Sequence, residues 1–209
     1  MPFSSRYNCF FIHIPKTGGT TVEKLLDMHR EWPTLDLKVV MGRLVLSDQE
    51  YQLQHLSFRE AAQFVSEELL ARCFTFTFVR NPWDRMVSEY FWRREWDDST
   101  TEFELFVDRV CDIVASRQLA GTNCHFRPQV EFLDDKICFV GRFERFHADL
   151  NHVLAELQVG TSHIPHEMKT SHGLYAEYYS DRLRKRVAST YASDIDAFKY
   201  TFGAGAALY

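Results

Sequence analysis

The chain has 209 residues, of which 45% are hydrophobic and 25% charged, with a formal net charge of −5 at pH 7. That length suits one domain, residues 1–209, with a substantial core. The acidic balance argues against a broad nucleic-acid-binding surface, and no apolar run nears the ~18 residues of a membrane span. Met1 to Asn8 is short and polar, with no signal peptide, so the chain reads as cytoplasmic and complete. The five cysteines, Cys9, Cys73, Cys111, Cys124 and Cys138, are odd in number and form no CxxC pair. They read as reduced thiols rather than a disulfide framework or a metal site.

In chain order, Cys9 to Ile14 is an apolar run that reads as a strand buried on both faces. Thr20 to Arg30 follows as a helix with Val22, Leu25, Leu26 and His29 on one face. Leu37 to Met41 is a candidate second strand, and Ser57 to Leu70 reads as one helix. Cys73 to Val79, "CFTFTFV", is aromatic and β-branched, a clear strand. A helix begins after it, with Asn81 as N-cap, Pro82 in the first position and Asp84 in the first turn. Glu102 to Ser116 is amphipathic. Ile137 to Val140 reads as a strand, Glu144 to Leu157 as a helix, and a long helix closes the chain. Strands alternating with helices predict an α/β fold with a central, mostly parallel sheet flanked by helices. Ligands of such sheets sit beyond the carboxyl ends of the strands.

Two loops fall at that edge. The first is "PKTGGTT", Pro15 to Thr21. Glycines at 18 and 19 permit positive φ and close approach, Thr17, Thr20 and Thr21 offer hydroxyls, and Lys16 offers a full charge. This composition suits an anion. It is not the nucleoside-triphosphate loop, which requires a Gly-Lys dipeptide that this chain lacks. Nor does a convincing acidic magnesium partner end a strand. The second loop, "FVRNPWDRMVSEY", puts Arg80 at a strand end and Ser88 two turns into a helix. Arginine grips phosphate bidentately. Taken alone, Ser88 is a helix-surface serine. Taken together, the two loops suggest a ligand with two separated phosphates.

"IPKTGGTT" resembles the 5′-phosphosulfate loop of sulfotransferases that use 3′-phosphoadenosine 5′-phosphosulfate (PAPS), and "FVRNPWDRMVSEY" resembles their 3′-phosphate segment. The resemblance is to the carbohydrate type that includes heparan sulfate 2-O-sulfotransferases and short bacterial members. "LQHLS", "FRPQVEFL", "VGRFERFHADLNHVL" and "YYSDRLRKRVASTYASDIDAFKY" extend it over most of the chain. It implies a P-loop-like fold and sulfonate transfer from PAPS to an acceptor hydroxyl of a glycan or small molecule, leaving 3′-phosphoadenosine 5′-phosphate (PAP), with no metal. By this match Lys16 contacts the phosphosulfate and meets charge on the leaving group, and Arg80 and Ser88 take the 3′-phosphate. By analogy Lys169, Thr170 and Ser171 close over the donor.

An acceptor hydroxyl must lose a proton, which calls for a positioned base. Among nine histidines, His13 lies in a strand and reads as structural. His147, His152, His163 and His166 carry no further mark. His55, in "LQHLS", matches the family's catalytic histidine. His125 is the reserve and, with Arg127 and Gln129, a candidate to face the acceptor. Trp92, Trp96 and Phe126 suit either sugar stacking or packing. The basic run Arg182, Arg184, Lys185 and Arg186 reads as a solvated face or an aid to an anionic acceptor. Two other classes stay open: a kinase with a degenerate loop, and a non-catalytic module binding an anionic nucleotide or glycan.

Overall fold

The computed structural model describes residues 2–28, 43–46, 49–96, 102–160 and 173–203. A short strand β1, Phe3–Ser4, pairs antiparallel with β2, Cys9–Ile12. The loop after β2 leads into helix α1, Gly19–Leu25. Strands β3, Arg43–Leu46, and β4, Gln49–Gln52, form a separate antiparallel hairpin. The predicted strand at 37–41 and the residues Lys169, Thr170 and Ser171 lie outside the described residues.

The predicted helix from Ser57 to Leu70 is two helices, α2, Phe58–Ala61, and α3, Glu67–Arg72. Each begins with its own serine cap. Ser57 forms a capping box with Glu60, and the Ser66 hydroxyl accepts from Leu69 N, which starts a new helix instead of continuing the old one. Strand β5, Phe74–Val79, leads to α4, Pro82–Trp96, where Asn81 Oδ1 accepts from Trp83 N as the expected N-cap. Helix α5, Phe103–Ala115, strand β6, Phe139–Arg142, and helix α6, Phe146–Glu156, follow. The closing helix is again two, α7, Asp181–Thr190, and α8, Ala192–Phe198, with Tyr191 between them off the helical ψ.

The main sheet runs β1-β2-β5-β6, with β2, β5 and β6 parallel. The period-2 alternation of strands sorts β2 onto two cores. Phe10 and Ile12 pack with Met86 and Val87 of α4, Phe106 and Val110 of α5, and Leu183 and Val187 of α7. Cys9 and Phe11 join Phe76 and Phe78 against Val22 of α1 and Leu150 and Val153 of α6. Helices thus cover both faces of a mostly parallel sheet, as the strand–helix alternation required. The loops after β2 and β5 emerge side by side at its carboxyl edge. Among the described residues, no helix is long and apolar enough to cross a membrane.

Candidate active site

The loop after β2 is fastened before any ligand is considered. Three consecutive carbonyls are taken: Ile14 by the Thr17 hydroxyl at 2.8 Å, Pro15 by Arg85 Nε at 3.1 Å, and Lys16 by Arg80 Nη1 at 3.1 Å. These bonds hold Lys16 at φ 67 and Gly18 at φ 86. A left-handed lysine costs about 1–2 kcal/mol, so its persistence needs such anchoring. The two glycines are required by packing. A Cβ on Gly19 would stand 2.1 Å from His13 Nε2, and one on Gly18 would stand 2.7 Å from the Phe146 ring. Thr17 and Thr21 are buried, and the Thr17 proton is directed inward to Ile14. The Thr17 proton is thus spent within the loop; Thr20 is the more exposed of the three.

Helix α1 is only seven residues long, so its dipole is weak and the positive charge must come from side chains. Lys16 Nζ lies 5.1 Å from the centre of the Trp92 ring. Burial pushes its ammonium down to about 8, opposed by Glu89 and reinforced by Arg80. Arg80 is 5% exposed, stacked on Phe143, and donates from Nε to Asp84 at 2.8 Å. With Nη1 also on the Lys16 carbonyl, three of the five guanidinium N–H donors have no partner among the described residues. A buried guanidinium with open donors suits a phosphate oxygen. Ser88 is buried on the α4 stripe that carries Asp84 and Trp92, spaced four residues apart, so it faces the same region as Arg80 and Lys16.

Three imidazoles form a row beside this loop. His13 and His55 meet edge-on at 4.6 Å between ring centres, and His55 and His125 at 4.8 Å. His13 is structural, as expected: its Nδ1 donates to Glu23 Oε1 at 2.7 Å in a buried pair that also receives the Gln54 amide. His55 Nδ1 lies 2.9 Å from the His13 carbonyl. A carbonyl only accepts, so Nδ1 carries the hydrogen and Nε2 keeps its lone pair. Burial, then His13 and His125, push His55 well below the usual imidazole range. His55 is therefore neutral at pH 7 with its basic nitrogen defined.

His125 Nδ1 is 3.1 Å from both oxygens of Glu89, and its ring stacks on Trp92 at 5.2 Å. Burial alone pushes the Glu89 carboxyl up, but His125, Arg93 and Lys16 outweigh it and hold it at about 2. Lys16, Trp92, His125 and His55 thus follow one another in contact. Sequence reasoning did not single out Arg85, Glu89 or Asp194, three buried charges that lie inside segments quoted above but carry no mark there.

A cavity of about 420 Å³ has His55 in its lining. Arg127 lines it, and both its terminal nitrogens pair with Glu60 at 2.8 and 3.1 Å. Glu60 also accepts from Ser57 N in the α2 cap. Gln129 is engaged elsewhere. It is 0% exposed and clamps the backbone of Arg80, accepting from its N–H and donating to its carbonyl at 2.8 Å each. Both ends of its amide are thus spent on positioning Arg80. Phe126 is buried beneath Arg93, which is packing, and the Trp96 side chain is outside the described residues. Of the basic run on α7, Arg182 pairs with Glu104 and Asp108 of α5 and Arg186 with Asp112, whereas Arg184 lies over the Phe202 ring.

A profile described as the sulfotransferase family matches residues 2–201, nearly the whole chain. The match sets the chain among transferases that move a sulfonate group. The protein belongs to the sulfotransferase family. Neither a curated protein nor a solved structure matches it.

Proposed function

We propose that the protein transfers a sulfonate group from PAPS to an acceptor hydroxyl, with Lys16 and Arg80 holding the donor and His55 as base. The observation that carries this reading is the bond from Arg80 Nη1 to the Lys16 carbonyl at 3.1 Å, which joins the two expected phosphate segments into one cationic site. PAPS supplies a sulfonate on a phosphate leaving group. Lys16, over Trp92, meets the charge that grows on the bridging oxygen. Arg80 and Ser88 hold the 3′-phosphate, with Gln129 and Asp84 fixing Arg80. Thr20 and the loop amides from Gly18 onward complete the donor site, and Lys169, Thr170 and Ser171 remain its expected cover. The acceptor oxygen bonds to sulfur as the sulfur–bridging oxygen bond breaks. The hydroxyl proton passes to His55 Nε2, whose lone pair the His13 carbonyl leaves available by holding Nδ1–H. A carbohydrate acceptor is the reading that the resemblance favours.

The test is transfer of labelled sulfonate from PAPS to a panel of hydroxyl compounds, with thermal shifts in PAP and in Mg·ATP as the binding control. The reading expects PAP to raise Tm and Mg·ATP not to. Lys16→Ala should lower turnover about 10²–10³-fold and His55→Ala about 10²–10⁴-fold. Absence of both PAP binding and transfer overturns it.

A further inference from the structure

One stripe of α4 reaches both the loop that carries Lys16 and the imidazole row. Arg85, Glu89 and Trp92 stand at i, i+4 and i+7, on one face of the helix. All three meet His125. Arg85 Nη2 donates to its carbonyl at 2.6 Å, both Glu89 oxygens lie 3.1 Å from its Nδ1, and Trp92 stacks on its ring at 5.2 Å. The His125 ring in turn lies edge-on to His55. Arg85 reaches further than the other two. Its Nη1 donates to the Arg127 carbonyl at 3.1 Å, and its Nε to the Pro15 carbonyl at 3.1 Å. One guanidinium therefore bonds to the residue before Lys16 and to two residues at the end of the 3₁₀ turn Gly121–Phe126.

The chemistry of this link sets it apart from packing. Arg85 is 4% exposed, and its hydrogen-bond partners among the described residues are all carbonyls. A buried guanidinium without a carboxylate on it is costly, and an apolar side chain would fill the space without that cost. A planar fork serves three acceptors at once, which the point charge of a lysine does not. Each segment also has anchors of its own. Arg80 and the Thr17 hydroxyl hold the loop, and the Tyr191 hydroxyl and Asp194 hold Phe126, Gln129 and Val130. Removing Arg85 thus leaves both segments fastened and frees the distance between them.

We infer that Arg85 is a positioning residue for sulfonate transfer, acting through the three carbonyls it holds. It sets the separation between the loop that meets the leaving group and the segment that packs against the proposed base. This rests on the sulfotransferase reading above.

The test uses the full chain and the variant Arg85→Lys, which keeps the charge and loses the fork. Labelled sulfonate from PAPS is scored for transfer to the hydroxyl panel and to water, alongside PAP titration and Tm. A misplacement of about 1 Å costs about 10²-fold in rate, so kcat should fall by that order while the KM for PAPS, the affinity for PAP and Tm stay close to those of the unmodified protein. Unchanged kcat overturns the inference. Loss of PAP affinity and Tm in step with kcat shows a purely structural role and overturns it too. Arg85→Gln, similar in reach and uncharged, replaces the lysine variant if that one does not fold; failure of both to fold is again the structural outcome. An unmodified protein that binds PAP but passes no sulfonate to the panel or to water counts against the sulfotransferase reading itself, so the two failures are distinguishable.

Discussion

At the scale of single residues, the loop glycines show how one composition serves two purposes. Gly18 is needed for its positive φ, whereas Gly19 is needed because His13 occupies the space of a side chain. Gly19→Ala should therefore destabilise by about 1–3 kcal/mol through overpacking and disturb the carbonyl that orients His55. Adding His13→Ala should recover part of that loss. A double-mutant cycle by urea denaturation checks it, and strict additivity would refute the contact as the cause. Lys16 and His55 also make a pH prediction. His55, neutral far below its ordinary range, should give no acid limb near pH 6.5 in kcat/KM. Lys16 must stay protonated, so kcat/KM should fall as pH rises through about 8. A bound anion raises the lysine, so the limb in kcat should lie higher. Profiles of both parameters check this, and Lys16→Arg should remove the alkaline limb.

At the scale of elements, the last helix acts on the site from a distance. Asp194 of α8 is 0% exposed and accepts from Gln129 N at 2.9 Å, Val130 N at 3.0 Å and the Gln129 amide. Gln129 in turn clamps Arg80. Asp194→Ala leaves buried donors unsatisfied, so a loss on the order of 3 kcal/mol is expected, with weaker PAP binding although the residue touches no ligand. Denaturation and PAP titration of the variant measure the two effects separately. This connection was not legible in the sequence, because Asp194 and Gln129 are 65 positions apart and belong to no shared motif. What was legible is local: the apolar runs of β2 and β5, the Asn81–Pro82 helix start, and the order of strand, loop and helix. Errors fell where a local competitor decided the outcome, as Ser66 did by capping a second helix within one apolar stripe. The hairpin β3–β4 escaped notice because Arg43 to Gln52 has no strict alternation.

At the scale of the molecule, a minority of the charges is buried, among them Arg80, Asp84, Arg85, Glu89 and Asp194. Glu89 at about 2 has a folded value below the unfolded one, so its contribution is complete above the ordinary glutamate range. It is lost as pH falls from there toward 2. Across that window it amounts to a few kcal/mol, about 1.4 for each unit of depression. Glu89→Gln should lower Tm clearly at pH 7 and much less near pH 2.5. A loss independent of pH would show that packing, not ionisation, is responsible. The surface pairs between α5 and α7 behave differently: exposed and screened, they should respond to Arg182→Ala with little change in Tm.

Glu60 carries a consequence for how acceptor preference can diverge. Its carboxylate closes the α2 cap at Ser57, two residues after His55, and also locks Arg127 in the cavity wall. A change there alters pocket charge and the footing of the proposed base together, so most substitutions should lose turnover before gaining a new acceptor. Glu131, also in the lining, pairs with an exposed arginine. New specificities in relatives built on this plan should therefore accumulate on the Arg117–Glu131 side, while the Glu60 side stays fixed by its double engagement.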